Sequence, residues 1–140
     1  MARRSRAREV ALQVLFQDDV NPPETATETL LFLRSRLQHD ELVEFAKSLV
    51  AGVRRNREEL DELLGKTAER WSLQRMAATD RNVLRLGAYE ILYTKTPGRV
   101  AINEAVELAK RYGTAHSAQF VNGILDKFLK SRDEPSASGT

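Results

Sequence analysis

The segment Val10-Ala11-Leu12-Gln13-Val14-Leu15-Phe16 is apolar except at Gln13, and with Ala7 its apolar side chains fall on most sides of a helix. A helix wetted along one flank carries an apolar stripe little wider than roughly 100°. This one needs cover on several flanks, so the rest of the chain has to pack around it. The spacing predicts a central first helix over 5–19, ended by Asn21-Pro22-Pro23, where proline removes amide donors and turns the preceding residue away from helical geometry.

The remainder keeps the same period. Helices are predicted over 25–36 and 40–54, the latter with Leu42, Phe45, Ala46, Leu49 and Val53 along its buried stripe. Arg54-Arg55-Asn56 forms a joint to a fourth helix over 57–68, and Trp71-Ser72 opens a looser stretch with one short turn through Met76. Thr79 is placed to cap the next helix and Asp80 to face its positive end. Gly87 lies in mid-helix, where glycine costs about 1 kcal/mol against alanine, so a close helix–helix contact is expected there. Pro97-Gly98 reads as a turn, 100–112 as a helix, Gly113 as its terminator and 114–117 as a link to a last helix carrying Phe120, Val121, Ile124, Leu125, Phe128 and Leu129. No period-2 alternation and no repeat of fixed length is present. The expected fold is all-α, about seven helices in two fused helical subdomains (about 1–68 and 69–132) of one domain spanning 1–132, with 133–140 a polar, disordered tail.

The first half of the chain is slightly acidic apart from Arg3, Arg4, Arg6 and Arg8, which run straight into the apolar helix. Such density repels itself and is unfavourable at the positive end of a helix dipole. A polyanion relieves both costs, and arginine suits phosphate because its planar fork donates bidentately and stacks on bases. The bland alternative is a solvated, frayed terminus; the continuity with a structured helix favours nucleic acid over it.

Other chemistries find little support. Cysteine is absent, which excludes disulfides and thiolate sites. His39 and His116 are the only histidines and have no ligand spacing around them, so no metal is expected. The glycines are scattered singly, with no phosphate cradle, nucleophile elbow or dinucleotide fingerprint, so neither catalysis nor a cofactor is expected. No apolar run reaches membrane-span length and no secretory leader is evident, which suits a cytoplasmic protein. Asn122, inside a strongly apolar helix, is expected to be buried and either to tie two elements together, the favoured reading, or to reach a ligand. Phe120 is either a core aromatic or a platform for a base.

The blocks Pro97-Gly98-Arg99-Val100-Ala101-Ile102-Asn103-Glu104-Ala105-Val106-Glu107-Leu108-Ala109-Lys110, Gly113, and Phe120-Val121-Asn122-Gly123-Ile124-Leu125-Asp126 resemble the NusB family of transcription antitermination factors. So do Asp80-Arg81-Asn82-Val83-Leu84-Arg85-Leu86 with Tyr89-Glu90, and Arg6-Ala7-Arg8-Glu9 with Ala11-Leu12-Gln13 and Leu15-Phe16. The resemblance implies a non-enzymatic protein that binds single-stranded boxA RNA together with the ribosomal protein NusE, within the transcription complex, and supports ribosomal RNA synthesis. It implies RNA contact at Arg3, Arg4, Arg6, Arg8, His116, Ser117, Gln119 and Phe120, and partner contact at Phe16 and Asp80. It also allows a homodimer formed through the same surfaces. Phe16 stands where the family often has tyrosine, and His116 where it often has an acid; the latter removes repulsion toward RNA. Two other readings remain: a helical protein–protein scaffold, and an accessory RNA-binding domain of the kind attached to RNA methyltransferases, for which a chain ending at Thr140 leaves no room for a catalytic part.

Overall fold

Every predicted helix forms, and among the described residues there is no strand. The computed structural model describes residues 3–21 and 24–133, without the side chains of Arg3 and Asp133. Of the tail expected over 133–140, Asp133 instead ends the last helix, and 134–140, like the proline pair at 22–23, lie outside the described residues. The helices divide between two compact units, one ending at Arg57 and the other beginning at Glu58.

The first unit holds α1 (Arg3–Val20), α2 (Ala26–Arg36) and α3 (Asp40–Arg55), with α3 packed on both of the others. The broad apolar surface of α1 is buried at Ala7, Val10, Ala11, Leu12, Val14 and Leu15. The start of α2 is set locally. The Thr25 hydroxyl accepts from the Glu28 amide at 3.1 Å and the Glu28 carboxylate accepts from the Thr25 amide at 2.9 Å, a reciprocal capping box. Hydrogen bonding from Thr25, its backbone amide first and its side chain second, holds the Glu28 carboxyl below its ordinary range. The end of α1 is set at long range. Asp18 and Asp19 sit where the helix dipole disfavours negative charge. Arg54 offsets this with two bonds to Asp18 at 2.8 and 2.9 Å, and Arg57 reaches Asp19 at 2.5 Å. Arg54 also donates to Thr29 at 2.9 Å, so one guanidinium joins α1, α2 and α3. The Asp18 bond raises the Arg54 pKa further.

The second unit begins as α4 (Arg57–Ala68) leaves the first, and continues through a 3-10 turn (Leu73–Arg75), α5 (Ala78–Tyr93), α6 (Gly98–Tyr112) and α7 (Ser117–Asp133). The last three helices pack pairwise on one another, and α5 is buried at every residue from Asn82 to Glu90. Gly87 is where the three meet: a Cβ there would lie 2.6 Å from Leu125 Cδ1 and 3.4 Å from Ala105 Cβ, the close contact expected from the sequence. Arg85, only 4% exposed, donates two bonds to Asp61 of α4 at 2.7 and 2.9 Å and one to Asn82 at 3.1 Å.

Two local expectations are corrected and a third is borne out. Thr79 does not cap α5; the helix starts a residue earlier, at Ala78, with Ala77 as its cap and no side-chain cap bond. Pro97-Gly98 is the start of α6 rather than a separate turn, because proline's fixed φ is compatible with the residue preceding a helix. Gly113 ends α6, as expected, in an extended conformation, φ −96° and ψ −165°. Its need for glycine is steric, since a Cβ would lie 2.4 Å from Ser117 Oγ and 2.8 Å from the Ala109 carbonyl oxygen.

Candidate nucleic-acid interface

Two surfaces carry the residues singled out by sequence, one in each unit. In the first unit, helical geometry from Arg3 onward fixes the direction of each arginine. Arg4 is exposed, with its guanidinium carbon 4.4 Å from the centre of the Phe45 ring on α3. Arg6 is exposed and pairs with Glu9 at 3.1 Å, one helical turn on. Arg8 departs from the expected open cation: it is 5% exposed, and its guanidinium carbon lies 5.1 Å from the same Phe45 ring. Arg8 lies one turn further into α1 than Arg4 on the same flank. It follows Ala7 and precedes Val10 where the helix packs into the unit, whereas Arg4 and Arg6 keep accessible positions. The Arg3 side chain lies outside the described residues.

At the other end of α1, Phe16 is 38% exposed and Val20, four residues on, 56% exposed. These two apolar side chains share one helix flank and remain uncovered within the chain. A small cleft of about 280 Å³ lies beside α1, lined by Gln13, Val14, Gln17, Glu24 and Phe32.

In the second unit an open groove of about 510 Å³ forms between the stretch that follows α4 and the start of α7. Arg70, Trp71, Arg75, Asp80, His116 and Phe120 are among its lining residues. Trp71 is 58% exposed and meets Phe120 edge-on, ring centres 5.3 Å apart at 82°. The stretch is fixed from below by Arg81 of α5, which donates to the carbonyls of Leu73 at 3.0 Å and Met76 at 2.9 Å. The opposite wall is built by Ser117. Its hydroxyl accepts from the Thr114 amide at 2.9 Å, closing the loop that starts α7.

The sequence-chosen residues therefore separate by role. His116 and Gln119 are exposed, His116 and Phe120 line the groove, and Phe120 is half-buried against Trp71. Ser117, also expected at the RNA surface, is 1% exposed and its oxygen is engaged by the loop. Asn122, expected to be buried, is exposed, since the face of α7 that packs inward passes through Val121, Ile124, Leu125 and Phe128. Asp80 lines the groove, and its Oδ1 is buried with no hydrogen-bond partner. Trp71, Arg70 and Arg75 were missed as candidates. The signal available was an aromatic beside arginine in a stretch of weak helical pattern, the composition of a base-stacking surface.

Among the described residues no group of three or more acidic or histidine side chains is placed to hold a metal ion, and no helix is long and apolar enough to cross a membrane. What the two surfaces offer is positive charge beside aromatic faces. Guanidinium groups neutralise phosphate, and an exposed indole accepts a stacked base.

An all-helical fold with cationic and aromatic faces has the chemistry of a nucleic-acid-binding protein. Comparison with known proteins makes that class specific. Residues 5–130 match the NusB family, and the chain belongs to it. The transcription antitermination protein NusB of Desulfitobacterium hafniense is 45% identical over 136 residues, covering 95% of this chain and 92% of that protein. A solved structure of T. maritima NusB superposes with a TM-score of 0.81 at 40% identity, over 93% of this chain and 92% of that one. A further solved chain, from a complex of the antitermination factors NusB and NusE with double-stranded RNA, superposes with a TM-score of 0.82 at 30% identity, over 94% of this chain and 98% of that one. The all-α expectation and the family resemblance are both borne out.

Proposed function

We propose that this protein is a non-catalytic transcription antitermination factor that binds boxA-type RNA together with NusE, works in the cytoplasm within the transcription complex, and supports ribosomal RNA synthesis. The observation that carries the reading is likeness along nearly the whole chain to a NusB solved with NusE and RNA. Its physical support is the groove in which Trp71 and Phe120 stand beside Arg70, Arg75 and His116. Arg4 and Arg6 supply phosphate contacts, Trp71 and Phe120 stack bases, and Phe16 with Asp80 meets the partner. Single-stranded RNA is the favoured target, because splayed bases reach an aromatic platform that a duplex withholds. Duplex RNA is the second reading, favoured by the relative solved with double-stranded RNA.

The test is a fluorescence anisotropy titration of the whole chain with single-stranded boxA-type RNA and with a duplex of the same sequence, each with and without NusE. The expected result is tightest binding to the single strand, strengthened by NusE. Affinity for neither RNA, with NusE present, would remove the proposal; preference for the duplex would install the second reading.

A further inference from the structure

The amino-terminal arginines stand on a single aromatic ring. Phe45, half-buried on α3, has the guanidinium carbon of Arg4 at 4.4 Å and that of Arg8 at 5.1 Å from its centre. Two cations this close to one point repel each other, and helix formation from Arg3 brings the next cation, Arg6, onto the same first turns. An aromatic face offsets part of that repulsion, because its quadrupole presents negative charge to the cation. The two arginines use the ring differently. Arg8 is buried and packs the ring in place, while Arg4 is exposed and remains accessible. Arginine lies flat on aromatic rings and still presents donors at its edge, so packing against Phe45 leaves Arg4 able to bond phosphate.

We infer that Phe45 is a positioning residue for RNA binding: it holds Arg4 in one place before the RNA arrives, so that less side-chain freedom is given up on contact. This deepens the RNA-binding reading above and rests on it. Phe45 itself touches no RNA in this account. An arginine side chain has many rotamers to give up, so pre-ordering one of them is enough to be read in affinity.

The test is a double-mutant cycle on the full chain with NusE present, measuring boxA-type RNA affinity for wild type, Phe45→Leu, Arg4→Ala and the two combined, with Phe45→Tyr as the conservative variant. Phe45→Leu keeps an apolar side chain at the position, and thermal unfolding of each variant checks the fold. The expected result is a loss of about three- to tenfold for Phe45→Leu, no further loss when it is added to Arg4→Ala, and near wild-type affinity for Phe45→Tyr. A second measurement reads the stacking without RNA: the Arg4 side-chain protons should show a ring-current shift in the NMR spectrum that disappears in Phe45→Leu. Equal losses in the presence and absence of Arg4, no loss at all, or no ring-current shift would overturn the inference while leaving RNA binding in place. A wild-type chain that binds no RNA with NusE present would instead overturn the functional reading, and this inference with it.

Discussion

Single residues here are decided by the space around one atom. Gly65, exposed in mid-α4, has nothing within 4 Å of a built Cβ, whereas Gly113 has three atoms within 2.8 Å. The same substitution should therefore act with opposite sign at the two sites. Gly65→Ala is expected to stabilise by about 0.5–1 kcal/mol, through reduced freedom of the unfolded chain and better helix propensity. Gly113→Ala is expected to destabilise by about 1–3 kcal/mol, because it forces Ser117 off the Thr114 amide and crowds a backbone carbonyl. Denaturant midpoints of the two variants check both signs. Glu69 is the other strained point. It holds φ 42°, the left-handed region that favours glycine, just past the end of α4, while its carboxylate takes a bond from Lys127 at 2.5 Å.

Elements are joined by ion pairs that differ in how much water surrounds them. Arg85 of α5 is buried, and removing its carboxylate partner leaves a charged donor short of two bonds. Asp61→Ala should therefore cost about 1–3 kcal/mol in unfolding free energy. A loss below a few tenths would show that water replaces the carboxylate there. The pairs of α7 with its neighbours are exposed. Arg99 and Lys130 both bond Asp126, Arg99 contributing more, and the Asp126 carboxyl is held below its usual range. Glu69 is lowered likewise, chiefly by its bond to Lys127. A carboxyl with a depressed folded pKa contributes stability above its unfolded value, near about 4, and loses it as pH falls through the lower folded value. The protein should hold its stability down to about pH 5 and lose it below. Asp126→Asn should flatten that acid limb, as measured by unfolding midpoints between about pH 2 and 6. Superimposable profiles for variant and wild type would contradict the assignment.

At the scale of the whole molecule, binding divides into a charge part and a stacking part. Arg4→Ala with Arg6→Ala should weaken RNA binding and lower the slope of log affinity against log salt by about 0.7 for each phosphate no longer neutralised. Arg8→Ala should behave differently. Its side chain is buried, so it should lower the melting temperature more than it alters the salt slope. Trp71→Ala should cost about 1–3 kcal/mol of RNA affinity with the salt slope unchanged, because stacking releases no counterions. Isothermal titration across a salt series, with a thermal melt of each variant, separates the three behaviours.

Helix positions, the absence of strands among the described residues and the close contact at Gly87 were legible in the chain, because they follow from periodicity and backbone freedom, which act between near neighbours. The charge–apolar junction at the front and the aromatic at Phe120 were legible for the same reason. Which arginines stay open was not: Arg4 and Arg8 share one flank of α1 and both lie against Phe45 of α3, yet packing buries Arg8 and leaves Arg4 exposed. Ser117 is buried and Asn122 exposed because the facing of α7 is set by what it packs against, not by the polarity of one residue. Trp71 gained its distant neighbour Phe120, and Arg54 its partner Asp18, 36 positions away, through folding alone. Local order is written in the spacing of side chains, but contacts across such distances exist only once the helices have packed, and it is those contacts that assemble the candidate surface.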